Sequence, residues 1–399
     1  MKRKVIKIIG SILIGIAITF LSFVIFIVFS FFAQRDILFP ILGVFFVSII
    51  VFLVLWNIIN KKFVYLILLI PVICIAASVS VFRYYFYVDE IPIVRQDIDL
   101  GSYIPFATYS SLAILDGEST LKLIDNLPIL DGATALYPIY ASFAQAVYPK
   151  GDYSYYTSDN NYQFFREREL NLILCNMTNG AYDNLFEGTV DIIFCAEPSE
   201  SQLRRFTENN IKLNFTAIGR EAFVFFVNNT NPVSNLAIQD IQDIYSGRIK
   251  NWKKLNGLNQ RIRAFQRPEN SGSQTMLIKM MGDNSIIKPR RENISLGMGS
   301  VINQVADYRN FSNAIGYSFL FFSTQMAAND QIKLLFINGI YPSIETIQNN
   351  SYPFSESFYA IYVENDNKNE NIEKFIEWIL SEQGQTLVQR TGYVPINRY

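Results

Sequence analysis

Gln266-Arg267-Pro268-Glu269-Asn270-Ser271-Gly272-Ser273-Gln274-Thr275 carries an arginine into a turn of small hydroxyl and glycine residues. The apolar run Met276 to Met281 that follows reads as a helix. This is the layout of an anion cradle. Arg267 offers a planar fork of donors, Gly272 lets the backbone approach closely, and Ser271 and Ser273 stand where a helix N-terminus exposes unpaired N–H groups. Taken alone, the segment reads better as an ordinary helix cap, because Ser is a common N-cap and Gly a common turn residue.

The surrounding chain repeats the layout. Pro128-Ile129-Leu130 leads through Asp131-Gly132-Ala133-Thr134 into a helix pattern of Leu136, Ile139, Tyr140, Phe143 and Val147, closed by Pro149-Lys150-Gly151. Leu170 to Cys175 reads as a strand before Thr178-Asn179-Gly180 and a helix through Phe186. Val190 to Cys195 reads as the next strand. Strands are also expected at Phe223–Val227, 262–266, Ile332–Ile337 and Phe358–Val363. Helices are expected from Leu236 to Ser246-Gly247 and, with Ile372, Phe375, Ile376, Ile379 and Leu380 on one face, near the end. Alternating strands and helices predict an α/β fold with parallel sheets and ligand sites at strand C-termini. Three turns of one design, one of them flush against an arginine, favour an oxyanion site over three unrelated caps.

Composition bounds the rest. The 399 residues leave room for two or three domains. Residues 8–33, 37–60 and 63–82 hold no charge, and each is long enough for a hydrocarbon core, which takes ~20 apolar residues. The expectation is a membrane anchor over 1–87 with three transmembrane helices (about 8–33, 37–60 and 63–83), then a connector over 88–125 with one short helix. Lys2, Arg3, Lys4 and Lys7 before the first run, and Lys61 and Lys62 between the second and third, place the N-terminus in the cytoplasm. Three spans then put everything after Tyr87 outside the cell, with the lipid bilayer as a partner. The part beyond residue 87 carries a charge of about −8, which argues against nucleic acid as a partner. The absence of histidine excludes the common zinc sites and the usual Ser-His and Cys-His catalytic arrangements. No cofactor or metal is implied, and a serine hydrolase using Ser271 or Ser273 would lack its base. Cys175 and Cys195 fall in apolar runs and read as buried free thiols, with a disulfide between them the alternative.

From about Leu127 to Ile396 the chain resembles the phosphate-binding component of bacterial phosphate ABC importers, within the type II periplasmic-binding-protein superfamily. The residues that carry the resemblance are Asp131 to Pro138, Gly188 to Ile193, Ile244 to Trp252, Arg267 to Thr275, Ala314 to Ser318, Tyr352-Pro353, Leu380 to Gln385 and Thr391 to Pro395. It implies two α/β lobes with a cleft between them over 126–399. The first would hold about 126–217 and 355–399, the second about 218–354. It implies an anion bound near Thr134, Ala135 and Leu136, by Thr178 with Asn179 beside it, and by Arg267, Ser271, Gly272 and Ser273. Glu269 would pair with Arg267 and fix its rotamer. The family's selectivity carboxylate, which accepts the proton of phosphate, falls at Ala196 here, with Glu197 next to it. Glu197 is therefore either a replacement in the cleft or a surface acid before Pro198.

The functional expectation is a membrane-tethered, extracellular solute-binding protein, not an enzyme, that captures inorganic phosphate or a related oxyanion for the permease of an ABC importer. The alternatives are a sensor signalling through its membrane helices, or a binder of sulfate, molybdate or tungstate.

Overall fold

The computed structural model describes residues 98–399, apart from 152, 154–156, 159–160, 163–171, 290–293, 296–298, 300, 303–304, 306–312, 365–368 and 398–399. The three apolar runs of the expected anchor lie outside these residues. Among the described residues no helix is long and apolar enough to cross a membrane. Ile93–Tyr399 forms one compact unit.

Its organising element is a strand of 16 residues, Leu213–Asn228, rich in the aromatic and β-branched side chains that suit a pleated surface. This strand, β3, belongs to two sheets. Its first half joins β1 (Leu130–Gly132), β2 (Ile192–Cys195) and β7 (Ser355–Val363) in the order β1-β2-β7-β3. Its second half pairs antiparallel with β5 (Ala314–Phe319) and β6 (Ile332–Leu334), and β4 (Arg263–Ala264) lies parallel to β5. A short last strand, β8 (Val394–Pro395), pairs with β3 at Arg220 and Gly219, where one half gives way to the other. The two halves define two lobes.

The sheets are mixed where the alternating pattern predicted parallel ones. β1 and β2 are parallel, but β7 runs antiparallel to both β2 and β3. The expected strand at Leu170–Cys175 reduces, among its described residues, to a single bridge from Ile173 to Leu130.

Helices cover both faces of the first sheet. α1 (Tyr137–Val147), α7 (Asn371–Leu380) and α8 (Glu382–Thr391) bury Phe143, Phe375 and Leu387 on one side. α2 (Met177–Phe186) and α3 (Glu200–Glu208) bury Tyr182, Leu185 and Phe206 on the other. In the second lobe α4 (Ile238–Tyr245) and α5 (Gly272–Met281) pack Ile241, Tyr245, Leu277 and Met281 against Phe225 and Tyr317. A short α6 (Ile344–Gln348) adds Ile347 to the same core.

The described part of the connector is not a free linker. Leu100, Leu112 and Leu123 are buried in the first lobe's core. Gln383 Oε1 accepts from the Thr120 N–H at 2.8 Å, and Arg390 donates to the Ile114 carbonyl at 2.7 Å. Its one regular element is a 3-10 turn, Leu100–Tyr103, capped by Asp99.

Candidate anion-binding site

The C-terminal ends of β1 and β4, and the segment after Ile173 that approaches α2, lead into the turns singled out in the sequence. After β1, a 3-10 turn, Thr134–Leu136, feeds α1, which carries Pro138 in its first turn, where no N–H is needed. Gly132 is required at the strand end, because a Cβ there would lie 2.6 Å from the Phe194 carbonyl oxygen. Thr134, Ala135 and Leu136 are all buried. The Tyr393 hydroxyl donates to the Ala135 carbonyl and so fixes this turn from the far end of the chain. Cys175 Sγ lies 3.9 Å from Thr134 Oγ1, which brings the first turn beside the approach to α2. Cys175 and Cys195 are both free; burial pushes the Cys175 thiol up to about 12 and the Cys195 thiol well up, so both stay protonated.

Asp131 ties the first two turns together. Its carboxylate is fully buried and accepts from the Gly132 N–H (2.7 Å), the Asn176 N–H (2.8 Å), the Asn176 side-chain amide (2.8 Å) and the Asn184 side-chain amide (2.8 Å). Burial raises its pKa, and these donors pull the other way. Because Asn176 is held by Asp131, it gives α2 no side-chain cap, and Met177 opens the helix in the left-handed region at φ 58°. Thr178, the next residue, is buried. The motif Asp131-Gly132 was legible as a marker only. The signal that would have exposed its role is an acid placed between apolar strand residues and a glycine, where it must be satisfied by donors from elsewhere.

The third turn is the most enclosed. The Arg267 N–H donates to Gln274 Oε1 at 2.9 Å and to the Tyr317 hydroxyl at 3.0 Å. That hydroxyl in turn donates to Gln274 Oε1. Burial keeps the Tyr317 phenol protonated through the physiological range. The buried Arg267 guanidinium gives Nη1 to Ser273 Oγ at 3.1 Å. Ser271 occupies the N-cap position of α5 in extended conformation, yet its side chain makes no cap bond. Its Oγ is buried without a hydrogen-bond partner among the described residues. A buried hydroxyl left this way costs about 1–3 kcal/mol, and it stands beside an arginine and a helix N-terminus.

The turns converge. A Cβ on Gly272 would lie 3.0 Å from Thr178 Oγ1, so the N-termini of α2 and α5 face each other across the lobes at contact distance. Both helices are ten residues long, and their partial positive ends add to the charge of Arg267. Thr178 therefore stands against the turn that holds Arg267, Ser271, Gly272 and Ser273, and Thr134 reaches α2 only through Cys175.

Other expected residues lie elsewhere. Asn179 is exposed and gives its side-chain amide to Asp183 at 3.1 Å, along the outer face of α2. Glu269 is exposed and makes no ion pair with Arg267; the arginine is held by Ser273 instead. Glu197 is half-exposed, accepting from Lys279 Nζ at 3.0 Å and from the Tyr359 hydroxyl at 3.3 Å. Among the described residues no group of His, Cys, Asp and Glu is arranged to hold a metal ion.

A family model described as a PBP superfamily domain matches residues 125–383. The chain belongs to the PBP superfamily. Among curated relatives, a phosphate-binding protein PstS of Borreliella burgdorferi is 25% identical over 184 residues, which is 45% of this chain and 65% of that one. The Bacillus subtilis protein of the same name is 27% identical over 174 residues, 43% of this chain and 53% of the relative. Less than two thirds of either relative is thus spanned. Among solved structures, a putative phosphate ABC transporter substrate-binding protein with bound phosphate from Clostridium perfringens aligns with a TM-score of 0.51 at 22% identity. That match covers 68% of this chain and 99% of the other, and shows a shared fold.

Proposed function

We propose that this protein is a solute-binding protein that captures a tetrahedral oxyanion, inorganic phosphate in the first place, for an ABC importer. The single observation that carries the reading is the buried Ser271 hydroxyl. It has no partner among the described residues, and it sits in the turn between Arg267 and a helix N-terminus that abuts Thr178. Hydroxyls, backbone N–H groups and one guanidinium are donors for a compact anion with oxygens on every side. No nucleophile with a base is assembled there, so the chemistry is capture and release. The names of the relatives favour phosphate among the oxyanions.

The reading extends to location. The three apolar runs in residues 1–87 anchor the protein as transmembrane helices, with the N-terminus cytoplasmic and the binding domain outside the cell, beside an importer's permease. Protease treatment of intact cells tests this: the domain beyond residue 97 is expected to be digested and the N-terminus protected.

Isothermal titration of the full-length protein with phosphate, sulfate, molybdate and tungstate tests the ligand. A saturable phosphate isotherm at one site per chain is expected. No heat with phosphate and a clear isotherm with another of the four would replace phosphate, and no heat with any would end the oxyanion reading.

A further inference from the structure

Glu197 stands two residues beyond the end of β2, whose parallel neighbour β1 leads into the first turn, a place from which a carboxylate would meet a bound anion. The structure turns it elsewhere. Tyr359 on β7, in its own lobe, donates to one carboxylate oxygen at 3.3 Å, and Lys279 on α5, in the other lobe, donates to the second at 3.0 Å. Lys279 also reaches Glu356, at the start of β7, at 3.1 Å. Lys279 lies seven residues beyond Gly272, a helix rise of about 10 Å from the anion-facing end of α5. Its side chain and that of Glu197 are each almost half exposed, at 47% and 46%.

A second contact crosses the same seam. Ser199 and Ser201, at the start of α3, both donate to Asn270 Oδ1, at 2.6 and 2.8 Å. Asn270 belongs to the Arg267 turn itself and sits in the left-handed region at φ 68°. The segment Glu197–Ser201 of the first lobe thus grips α5 and the turn before it at two points.

We propose that Glu197 and Lys279, with Glu356, form an ionic strut between the lobes that holds the cleft closed, and that Glu197 governs how long the anion stays and not which anion binds. The binding part of this inference rests on the oxyanion reading above; the strut itself does not. Its contacts exist only while α5 lies against the first lobe, so breaking them lowers the barrier to opening and leaves the anion's own donors untouched. Tyr359 supports this use by fixing the carboxylate in advance.

Two measurements on the full-length protein test it. In the first, phosphate dissociation is followed by stopped flow, and the ratio of phosphate to sulfate affinity is taken at equilibrium. Glu197→Gln and Lys279→Met are each expected to speed dissociation about twofold to fivefold, the range of a partly exposed ion pair, with the anion ratio unchanged. The double variant should be no faster than Lys279→Met alone, which already loses both carboxylate partners. A changed ratio in Glu197→Gln, with dissociation unaltered, would overturn the proposal and return Glu197 to the cleft. In the second, which needs no ligand, spin labels at Leu203→Cys and Leu258→Cys, exposed positions in the two lobes, report the interlobe distance. Lys279→Met should move the ligand-free distribution toward longer distances. An unmoved distribution would sink the strut even if phosphate binds, whereas a shifted one without phosphate binding would leave it standing and end the oxyanion reading alone.

Discussion

β1 and β2 are parallel neighbours, each with a carboxylate near its C-terminal end, and the two acids have opposite fates. Asp131 is fully buried and accepts four hydrogen bonds that lock the first two turns together. Glu197 is half outside and pairs with a lysine of the other lobe. Sequence drew attention to Glu197, because it stands next to the position where a ligand-reading acid belongs. Asp131 drew none beyond its motif. The difference teaches that an acid's role is set by the donors that reach it, and those donors come from Asn176, Asn184 and Lys279, far away in the chain.

If the donor turns organised by Asp131 make the site, Arg267→Ala should have the largest effect. Loss of about 2–5 kcal/mol of anion affinity is expected, since the ligand would lose its one full positive charge in a buried setting. Titration with phosphate checks this, and unchanged affinity would remove Arg267 from the site.

A third carboxylate sharpens the contrast, because it is buried without such donors. Glu221, on β3 where the lobes meet, accepts one hydrogen bond, from the Phe321 N–H at 2.7 Å, and forms no ion pair among the described residues. Burial, against that bond, pushes its pKa up to about 8. The native state therefore holds a proton that the unfolded state has released above the ordinary carboxylate range. Stability falls as pH rises from about 5 to about 8 and levels off beyond it. Thermal melts should show this decline, and Glu221→Gln should flatten it and exceed the wild type in Tm at high pH. A decline of the same size in the variant would contradict the assignment.

Asp131→Asn replaces an acceptor of four bonds by a group whose own N–H₂ faces other donors. A stability loss of roughly 2–3 kcal/mol in urea unfolding is expected, together with weaker anion binding, whereas Glu197→Gln should leave stability almost unchanged. Equal losses for both would erase the distinction between the two acids. Smaller again is Gly272→Ala, whose new methyl meets Thr178 Oγ1. It should weaken phosphate about tenfold, or roughly 1.4 kcal/mol, with little change in melting temperature.

Much of the fold was legible from periodicity. The helices at Tyr137–Val147, Ile238–Tyr245 and Asn371–Leu380 and the strand at Ile192–Cys195 follow apolar spacing that serves one packed face. The 16-residue length of β3 was not legible. Only its apolar half was expected to form a strand; the half before it, with Asn214, Thr216 and Arg220, is half-buried and held by its pairing with β7. α8 was missed because its apolar residues are few, Leu387 and Val388 chief among them. Arg267, Ser271 and Ser273 were readable because an arginine, a glycine and hydroxyls fall within one turn. What holds them was not: Tyr317 and Gln274, which lock the Arg267 backbone, offer no local pattern, and Tyr393 reaches Ala135 from the opposite end of the domain.

The central claim, that one anion sits where the α2 and α5 N-termini meet, is tested most directly by crystals grown with arsenate, a tetrahedral mimic of phosphate whose heavy atom scatters anomalously. The account predicts a single strong peak whose oxygens lie about 2.7–3.2 Å from Ser271 Oγ, Thr178 Oγ1 and the Arg267 guanidinium. A peak elsewhere on the domain, with the Ser271 hydroxyl turned to a partner within the protein, would contradict it.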